Sequence, residues 1–515
     1  MTRNTMDEIE KQASQTPAAV EEAAGTEKPV FPDGDVAAGL FEQAMQYDPE
    51  QLANDAIKVR WKLDLIALPM MMFTNMLAFL DKQTLNYSNA YGLQAANHMT
   101  GNEYAWVASA MYFGWLVGAW PASLLVQRYP ISKVVGLAAL VWGLICMLQA
   151  APHSFSGFFA VRFFLGFVES VLNPSWLLLT SILWTRDEQP LRTEFWIAMN
   201  GMAAMLGALL SWGVGTVEGS AIPNWKLIFL LVGAVTFLWA FAILFFLPDG
   251  PHQARILTEH ERVVAVWRIS KNRTGVQHGV FKWDQLREAV RDPKSYLLLA
   301  MAATYGMLNG GMTNFMSSLI KGFGFSSTMS TLLQMPGGAV QVVGCIMFGY
   351  IAAAGRNMNG VGTILGCFPG IGGLIGLLAI SRIPAHKYSL VGCAWALNCL
   401  GAPTVLNWGL PGMNIAGHTK RSTMMGMYFI FNCAGNIAGP HFFRAQDAPL
   451  YFPAIRAVLS LYAIAVFLQV VYMAICFLQN RHRDKKGYHA QDEDEAREGF
   501  EDLTDWQNRH FRYKL

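Results

Sequence analysis

The most constraining feature of this sequence is a series of twelve long apolar tracts separated by polar stretches. The core of a bilayer is about 30 Å thick, so a helix needs roughly 20 mainly apolar residues to cross it. The pattern therefore predicts an all-α polytopic membrane protein with twelve transmembrane helices. The tracts that match this length lie at 63–86, 104–126, 133–151, 157–182, 194–216, 225–247, 296–319, 328–354, 360–381, 388–409, 418–442 and 454–479.

The tracts fall into two groups of six. Their spacing predicts two six-helix bundles, over residues 62–248 and 296–480, with a cytosolic linker at 249–295. Within the linker, helical patterns at 258–270 and 282–292 predict amphipathic helices that lie against the cytosolic face. Basic residues recur at similar places in the two groups, as a duplicated six-helix unit would leave them.

The polar ends of the chain and its basic residues predict the orientation. Residues 1–61 are rich in polar and acidic side chains and are predicted to form a disordered cytosolic tail, and 481–515 a second cytosolic tail. Lys and Arg concentrate in the loops that share a side with both ends, Arg356 included, and such loops are normally cytosolic. We expect a plasma-membrane protein with both termini in the cytosol. The loop residues predicted to take part in gating are Arg128, Lys133, Glu188, Arg192, Lys420 and Arg421.

Composition excludes several other classes of protein. Only 14% of the residues are charged, whereas soluble domains are typically about a quarter charged. The formal net charge of +2 gives no support for a nucleic-acid partner. The seven cysteines all lie in apolar tracts without a CxxC pair, so neither a metal site nor a cofactor is predicted. Scattered histidines and the lack of a nucleophile motif argue against an enzyme.

Four charged residues fall inside the apolar tracts. Asp81 and Lys82 lie in the first tract, and Arg162 and Glu169 lie in the fourth. Each costs roughly 2.5–3.5 kcal/mol at mid-helix, unless the charges pair or line a watery cavity. Arg162 and Glu169 are seven residues apart, which is two turns along one helical face. We expect the four side chains to surround one cavity.

The chemistry of these four residues suits coupled transport of an anion. Arg stays protonated and captures a carboxylate through two parallel hydrogen bonds, so Arg162 and Lys82 are predicted to bind substrate. Asp and Glu take up a proton when burial raises their pKa, so Asp81 and Glu169 are predicted to couple protons. The alternative is that the charges form salt bridges that only fix helix packing.

Neutral polar residues within the tracts either line a cavity or join helices by hydrogen bonds. Asn309 and Asn314, in a tract interrupted by glycines, are the candidates for substrate binding, with packing as the equal alternative. Asn432 and Asn436, four residues apart beside Gly435, predict a packing seam. The full set is Asn200, Asn309, Asn314, Gln334, Gln341, Asn398, Asn407, Asn432 and Asn436.

From Trp61 to Gln479 the sequence resembles the major facilitator superfamily, within it the anion:cation symporter family, and most closely the fungal allantoate permease branch. In the loop after the second tract, Gln127 replaces the acid that is usual in the superfamily. The motifs that carry the resemblance are Leu80-Asp81-Lys82 with Leu85-Asn86-Tyr87, Arg162 with Gly166, Glu169 and Pro174, Glu188 with Arg192, residues 288–293, 417–421 and 435–440, and the stretch 448–451.

The resemblance implies a major facilitator fold and proton-driven uptake of a small organic anion, such as a ureido acid, a vitamin-like acid or a small peptide. It implies protonation at Asp81 and Glu169 and contact between Arg162 and the substrate carboxylate. Lys82 stands where many relatives have Arg. The expected partners are the anion, protons and the lipid bilayer, with the protein acting as a monomer. An exporter or antiporter on the same fold, or a nutrient sensor that does not transport, remains the alternative.

Overall fold

The computed structural model describes residues 40, 43–185, 188–217, 219–251, 254, 256–270, 282–355, 357–381, 383–449, 451–486 and 503–515. These residues are organised as α-helices and short 3-10 turns, without a β-strand among them. The predictions made for residues 1–39, for Arg356 and for residues 487–502 lie outside the described part of the chain.

Helices occupy all twelve predicted spans. Three spans are broken: the fourth, the eighth and the tenth. In chain order the spans are Pro49–Ala90, Glu103–Arg128, Ile131–Leu148, Phe155–Glu169 with Leu172–Leu183, Gln189–Gly215, Asn224–Phe246, Pro293–Lys321, Ser327–Leu332 with Met335–Ala353, Asn359–Ala379, Lys387–Ala396 with Gly401–Asn414, His418–Ala438 and Phe452–Lys485. The short helices Leu93–Ala96, Glu259–Ser270 and Trp283–Arg291 lie between spans.

Among the described residues, ten of these helices are long and apolar enough to cross a membrane by length and composition. The seventh and eleventh spans are the two that do not reach this hydropathy, because Asn309 and Asn314 lie in the seventh and Arg421, Asn432 and Asn436 lie in the eleventh. Both are as long as their neighbours. The four asparagines face the inside of the protein.

The breaks in the fourth and eighth spans have a local cause. Pro174 lies in the first turn of Leu172–Leu183, and Pro336 in the first turn of Met335–Ala353. Proline has no backbone N–H to donate to the preceding turn, so it fits at the start of a helix but not in a continuous ladder of hydrogen bonds. The fourth span is interrupted immediately after Glu169 as a result.

One predicted boundary is wrong. Residues 49–61 were expected to belong to a disordered tail, but the first span already begins at Pro49, and the Asp48 carboxylate caps it by accepting a hydrogen bond from Glu50 N at 3.2 Å. The added turns pack against the helix Glu259–Ser270, where His260 Nε2 lies 3.1 Å from Asp55 Oδ2. The two linker helices were predicted within one residue of their ends.

The two bundles use the same scheme of helix pairing. In the first bundle, span 1 packs on span 5, span 2 on span 4 and span 3 on span 6. The second bundle repeats this with spans 7 and 11, 8 and 10, and 9 and 12. The bundles meet through contacts of span 1 with span 7, span 2 with span 11 and span 5 with span 8. This correspondence is what a duplicated six-helix unit predicts.

We call the end of the molecule where span 1 begins and span 12 ends the terminal side. Hydrogen bonds between the bundles cluster at the opposite end. Asn86 Nδ2 donates to Gln334 Oε1 at 2.8 Å, and Ser317 N donates to Asn86 Oδ1 at 2.9 Å. Lys321 Nζ donates to the carbonyl of Ala90 at 3.1 Å. The bundles are therefore held together at the end away from the terminal side.

Candidate functional site

The centre of the first bundle contains a buried ion pair between spans 1 and 4. Lys82 Nζ lies 3.0 Å from Glu169 Oε1, and the Glu169 side chain is 2% exposed. Glu169 is the last residue of Phe155–Glu169, so the proline-linked break sets its position. The Lys82 ammonium also lies 4.0 Å from the centre of the Trp115 ring on span 2, where the face of the ring attracts a cation.

Asp81 is adjacent to Lys82 but faces span 3. Its carboxylate accepts hydrogen bonds from Trp142 Nε1 at 3.0 Å and from Cys146 Sγ at 3.1 Å. Gln149 then connects it to Arg162: Gln149 Nε2 donates to Asp81 Oδ1 at 3.4 Å, and Arg162 Nη1 donates to Gln149 Oε1 at 3.2 Å. Asp81 and Gln149 are fully buried and Arg162 almost so.

Two polar atoms of this group have no partner. Within the described part of the chain, neither Arg162 Nε nor Glu169 Oε2 meets a hydrogen-bonding group. An unsatisfied buried donor or acceptor costs about 1–3 kcal/mol, more when the group is charged. Glu169 Oε2 is thus free to accept a proton or a hydrogen bond, and the Arg162 guanidinium is free to donate one further hydrogen bond to a ligand.

A cavity of about 120 Å³ lies between the bundles, lined by spans 1, 5, 7, 8 and 10. Span 1 contributes Phe79, Gln83 and Tyr87, which are spaced one helical turn apart. The walls of the cavity combine apolar side chains with amides and hydroxyls that donate and accept hydrogen bonds. The lining residues with an amide or a hydroxyl are Gln83, Tyr87, Asn200, Asn309, Thr313, Gln334, Gln341, Asn398 and Thr404.

The expectation that all four charged residues surround one cavity is wrong. None of Asp81, Lys82, Arg162 and Glu169 is among the residues that line the described cavity. Successive residues of a helix are about 100° apart, so Asp81 lies on the side of span 1 opposite Phe79 and Gln83. Around the axis of span 1, Lys82 lies closer than Asp81 to the side that carries Phe79 and Gln83, and it points into the space between spans 1, 2 and 4.

Asn309 and Asn314 have different surroundings. Asn309 lines the cavity, and its Nδ2 donates to Asn436 Oδ1 on span 11 at 2.8 Å. Asn314 Nδ2 donates to the Gly310 carbonyl in its own helix at 2.8 Å. Asn314 is outside the cavity lining and its environment is that of a packing residue, which goes against its predicted role in substrate binding. Asn436 also donates to Asn432 at 2.9 Å, in the seam predicted beside Gly435.

The predicted gating residues form ion pairs within each bundle. Arg192, at the start of span 5, donates to both oxygens of Asp64 on span 1, at 3.1 and 2.6 Å. In the second bundle Lys420, at the start of span 11, lies 3.2 Å from Asp292 Oδ2, at the start of span 7. Arg128, Lys133 and Arg421 are exposed on the terminal side.

Glu188 joins the linker to the first bundle. It pairs with Arg268 of the helix Glu259–Ser270 and accepts a hydrogen bond from Thr185 N at 3.0 Å. Burial opposes its ionisation, but the Arg268 guanidinium and the Thr185 hydrogen bond outweigh burial, so the pKa of Glu188 is lowered.

Sequence reasoning missed two groups of residues. Gln149 gives no signal in a sequence, because a single amide at the end of an apolar tract resembles any helix terminus. Residues 503–515 were assigned to a charge-mixed tail, yet Asp505 and Tyr513 are buried.

Twelve spans form two bundles that pair their helices in the same way, and a polar cavity lies between the bundles. This architecture defines a multi-pass membrane transporter. Residues 71–440 match the model of the Major Facilitator Superfamily, and the chain belongs to that family. It is therefore a transporter and not an enzyme.

The relatives compared are fungal transporters that align with this chain over nearly their whole length. The chain is 34% identical to transporter C417.10 of Schizosaccharomyces pombe, with 94% of each protein aligned. It is 31% identical to the allantoate permease of Saccharomyces cerevisiae, over 93% of this chain and 90% of that protein. It is 30% identical to the thiamine pathway transporter THI73 of the same yeast, with the same coverage.

A solved structure has the same fold. A bacterial homologue of the human lysosomal transporter Spinster superposes with a TM-score of 0.57 at 14% identity, over 80% of this chain and 96% of that one.

Proposed function

We propose that this protein takes up a small organic anion together with protons. The observation that carries the proposal is the buried Lys82–Glu169 ion pair beside Arg162, with an open position on both Glu169 and Arg162. Three charges at mid-membrane are costly to insert. A guanidinium and a carboxylate that each keep one unpartnered polar atom, beside the Lys82 ammonium, suit a transport site better than a purely structural salt bridge.

The proposed cycle uses Glu169 as the coupling residue. A proton added at Glu169 Oε2 neutralises the carboxylate and weakens its hold on Lys82. The Lys82 ammonium and the Arg162 guanidinium then have charge to offer a substrate carboxylate. After the anion leaves, Glu169 loses its proton and the 3.0 Å pair with Lys82 forms again.

The cavity amides would recognise the uncharged part of the substrate. Nine amide or hydroxyl side chains line the cavity, Asn309 and Gln83 among them. They suit an anion that carries further hydrogen-bonding groups, such as a ureido acid. The similarity to the allantoate permease supports the same class of substrate. Lys and Arg in the terminal-side loops support a cytosolic terminal side, and we propose the plasma membrane as its location and the monomer as its working form.

Asp81 is the second proposed proton site. Its carboxylate accepts hydrogen bonds from two neutral donors, Trp142 and Cys146, and Gln149 links it to Arg162. The Asp81 carboxylate therefore has a second role open to it, which is to hold the guanidinium in place.

Purified protein in vesicles tests the proposal. Ureido acids, pyridine carboxylates, dipeptides and vitamin acids are screened as radiolabelled substrates, with and without an inward proton gradient. We expect the gradient to drive concentrative uptake, and Glu169→Gln to abolish it while substrate exchange across the membrane continues. Glu103→Gln is the matched control, because this carboxylate only caps its own helix through Thr100 N at 2.7 Å.

Transport that ignores both the proton gradient and Glu169→Gln would refute coupling at this residue. For Asp81→Asn, loss of gradient-driven uptake with exchange preserved assigns a second proton site. Loss of exchange as well assigns the Asp81 carboxylate to holding Arg162. Net efflux under physiological gradients would favour an exporter over an uptake system.

A further inference from the structure

The last thirteen residues of the chain lie across the terminal side of the second bundle. We call residues 503–515 the C-terminal strap. The backbone of residues 513–515 is hydrogen-bonded to three spans: Leu515 O accepts from Gly360 N at 3.1 Å, Lys514 N donates to Asn414 Oδ1 at 2.7 Å, and Tyr513 N donates to Asn480 Oδ1 at 3.0 Å. Spans 9, 10 and 12 are thereby joined to one peptide.

The strap also joins spans 7 and 11 through a buried acid. Asp505 is fully buried. Its Oδ1 accepts a hydrogen bond from Lys420 Nζ at 2.6 Å, and its Oδ2 accepts from Lys294 Nζ at 3.0 Å and from the Tyr513 hydroxyl at 2.7 Å. Lys294 and Lys420 stand at the starts of the paired spans 7 and 11, so one carboxylate bridges both helices.

The bundle does not need the strap to balance its charges. Lys420 Nζ lies 2.7 Å from Glu288 Oε1, and Lys294 Nζ lies 3.6 Å from Asp292 Oδ2. The two lysines therefore already face two carboxylates, those of Glu288 and Asp292, and Asp505 adds a third carboxylate. Because desolvation offsets most of the Coulomb attraction in a buried ion cluster, such a cluster specifies where the strap docks without making docking irreversible.

We propose that the C-terminal strap is a releasable element that, while docked, makes the terminal-side ends of spans 7 and 9–12 move as one rigid body. Transporters of this kind work largely by rocking one bundle against the other, which requires each bundle to be stiff. Span 7 also carries Asn309 of the cavity wall, which is hydrogen-bonded to Asn436 of span 11. Release of the strap therefore loosens the partner of a helix that borders the cavity. The proposal depends neither on the identity of the substrate nor on proton coupling.

The test uses the full chain with a protease recognition sequence inserted between residues 487 and 502. After cleavage, we expect the strap to stay with the transporter through size-exclusion chromatography. Asp505→Asn should weaken its retention by roughly 100-fold or more. Asp484→Asn is the matched control, because its half-exposed carboxylate pairs with Arg512 at 3.0 Å outside the buried cluster. Hydrogen exchange at the terminal-side ends of spans 7 and 11 should rise only when the strap is lost.

Two results would overturn the proposal. The first is a wild-type strap that leaves as soon as it is cut. The second is a strap that leaves without any change in hydrogen exchange at spans 7 and 11. If the Asp505→Asn chain does not fold, a synthetic peptide of residues 503–515 is added to the cleaved wild-type protein. The wild-type peptide should replace the cut strap and the Asp505→Asn peptide should not, and equal replacement by both would contradict the role of the carboxylate.

Discussion

Gly435→Ala tests how closely spans 7 and 11 must approach. Gly435 lies in the seam between these spans, and a Cβ atom added there would be 2.1 Å from the Ala303 carbonyl oxygen and 2.9 Å from Met307 N. Both obstacles are backbone atoms of span 7, so a side-chain rotation cannot relieve the clash. Because protein interiors are close-packed, the two helices must move apart by about 1 Å or more.

The cost has two parts. Overpacking of a well-packed interior costs about 1–3 kcal/mol, and a backbone obstacle places this change at the upper end. Separating the spans also stretches the 2.8 Å hydrogen bond between Asn309 and Asn436, and such bonds between membrane helices contribute roughly 0.6 kcal/mol. We expect a loss of about 3 kcal/mol in stability.

The assay is thermal unfolding of the purified protein in detergent, with Gly426→Ala as the matched control. Gly426 is on the same helix, but a Cβ added there would meet no atom within 4 Å. The control should be unchanged or more stable by up to about 1 kcal/mol, because Ala favours a helix over Gly. Equal midpoints for the two variants would refute the close-packed seam.

Two further changes test the terminal-side ion pairs by thermal unfolding. Asp64→Asn removes the carboxylate that Arg192 holds through two hydrogen bonds and should cost about 1.5–3 kcal/mol. Glu50→Gln, at an exposed residue of the same helix, should be neutral, and equal losses would contradict the buried pair. Glu188, whose pKa is lowered in the folded protein, stabilises it above the usual Glu pKa of about 4.3 and loses this contribution as the pH falls through the lowered value. With Glu188→Gln, the free energy of unfolding should fall less steeply as the pH is lowered through the acid range. An unchanged slope would exclude the contribution of Glu188.

The spans could be predicted because hydropathy is local. Every apolar tract forms a helix near its expected bounds, since a backbone in lipid must satisfy its own hydrogen bonds. Hydropathy could not show that span 1 extends to Pro49, because residues beyond the membrane are polar whether helical or not. It also gave no sign of the break after Glu169, although Pro174 was visible in the sequence.

The site was harder to predict than the spans. The sequence indicated the charges inside the spans, because they stand out in apolar tracts, but not those buried at the terminal side, such as Lys294 and Asp505. It did not indicate how each helix is rotated about its axis, and that rotation decides what a side chain meets. Asp81 and Lys82 are neighbours in sequence, yet one faces Trp142 of span 3 and the other faces Glu169 of span 4. The C-terminal strap was missed because Asp505 finds its partners only in the folded bundle.

The two bundles share a scaffold but differ at mid-membrane. Asp64 with Arg192 in the first bundle corresponds to Asp292 with Lys420 in the second, so both halves fasten the paired helices in the same way. The charges of the proposed site all belong to the first bundle, whereas both bundles supply amides and hydroxyls to the cavity, Gln83 and Asn200 from the first and spans 7, 8 and 10 from the second. If an anion binds as proposed, its charge is held by the first bundle alone, and its uncharged part contacts amides of both. We then expect the charged residues to set whether an anion binds at all, and the amides of both bundles to set which anion it is.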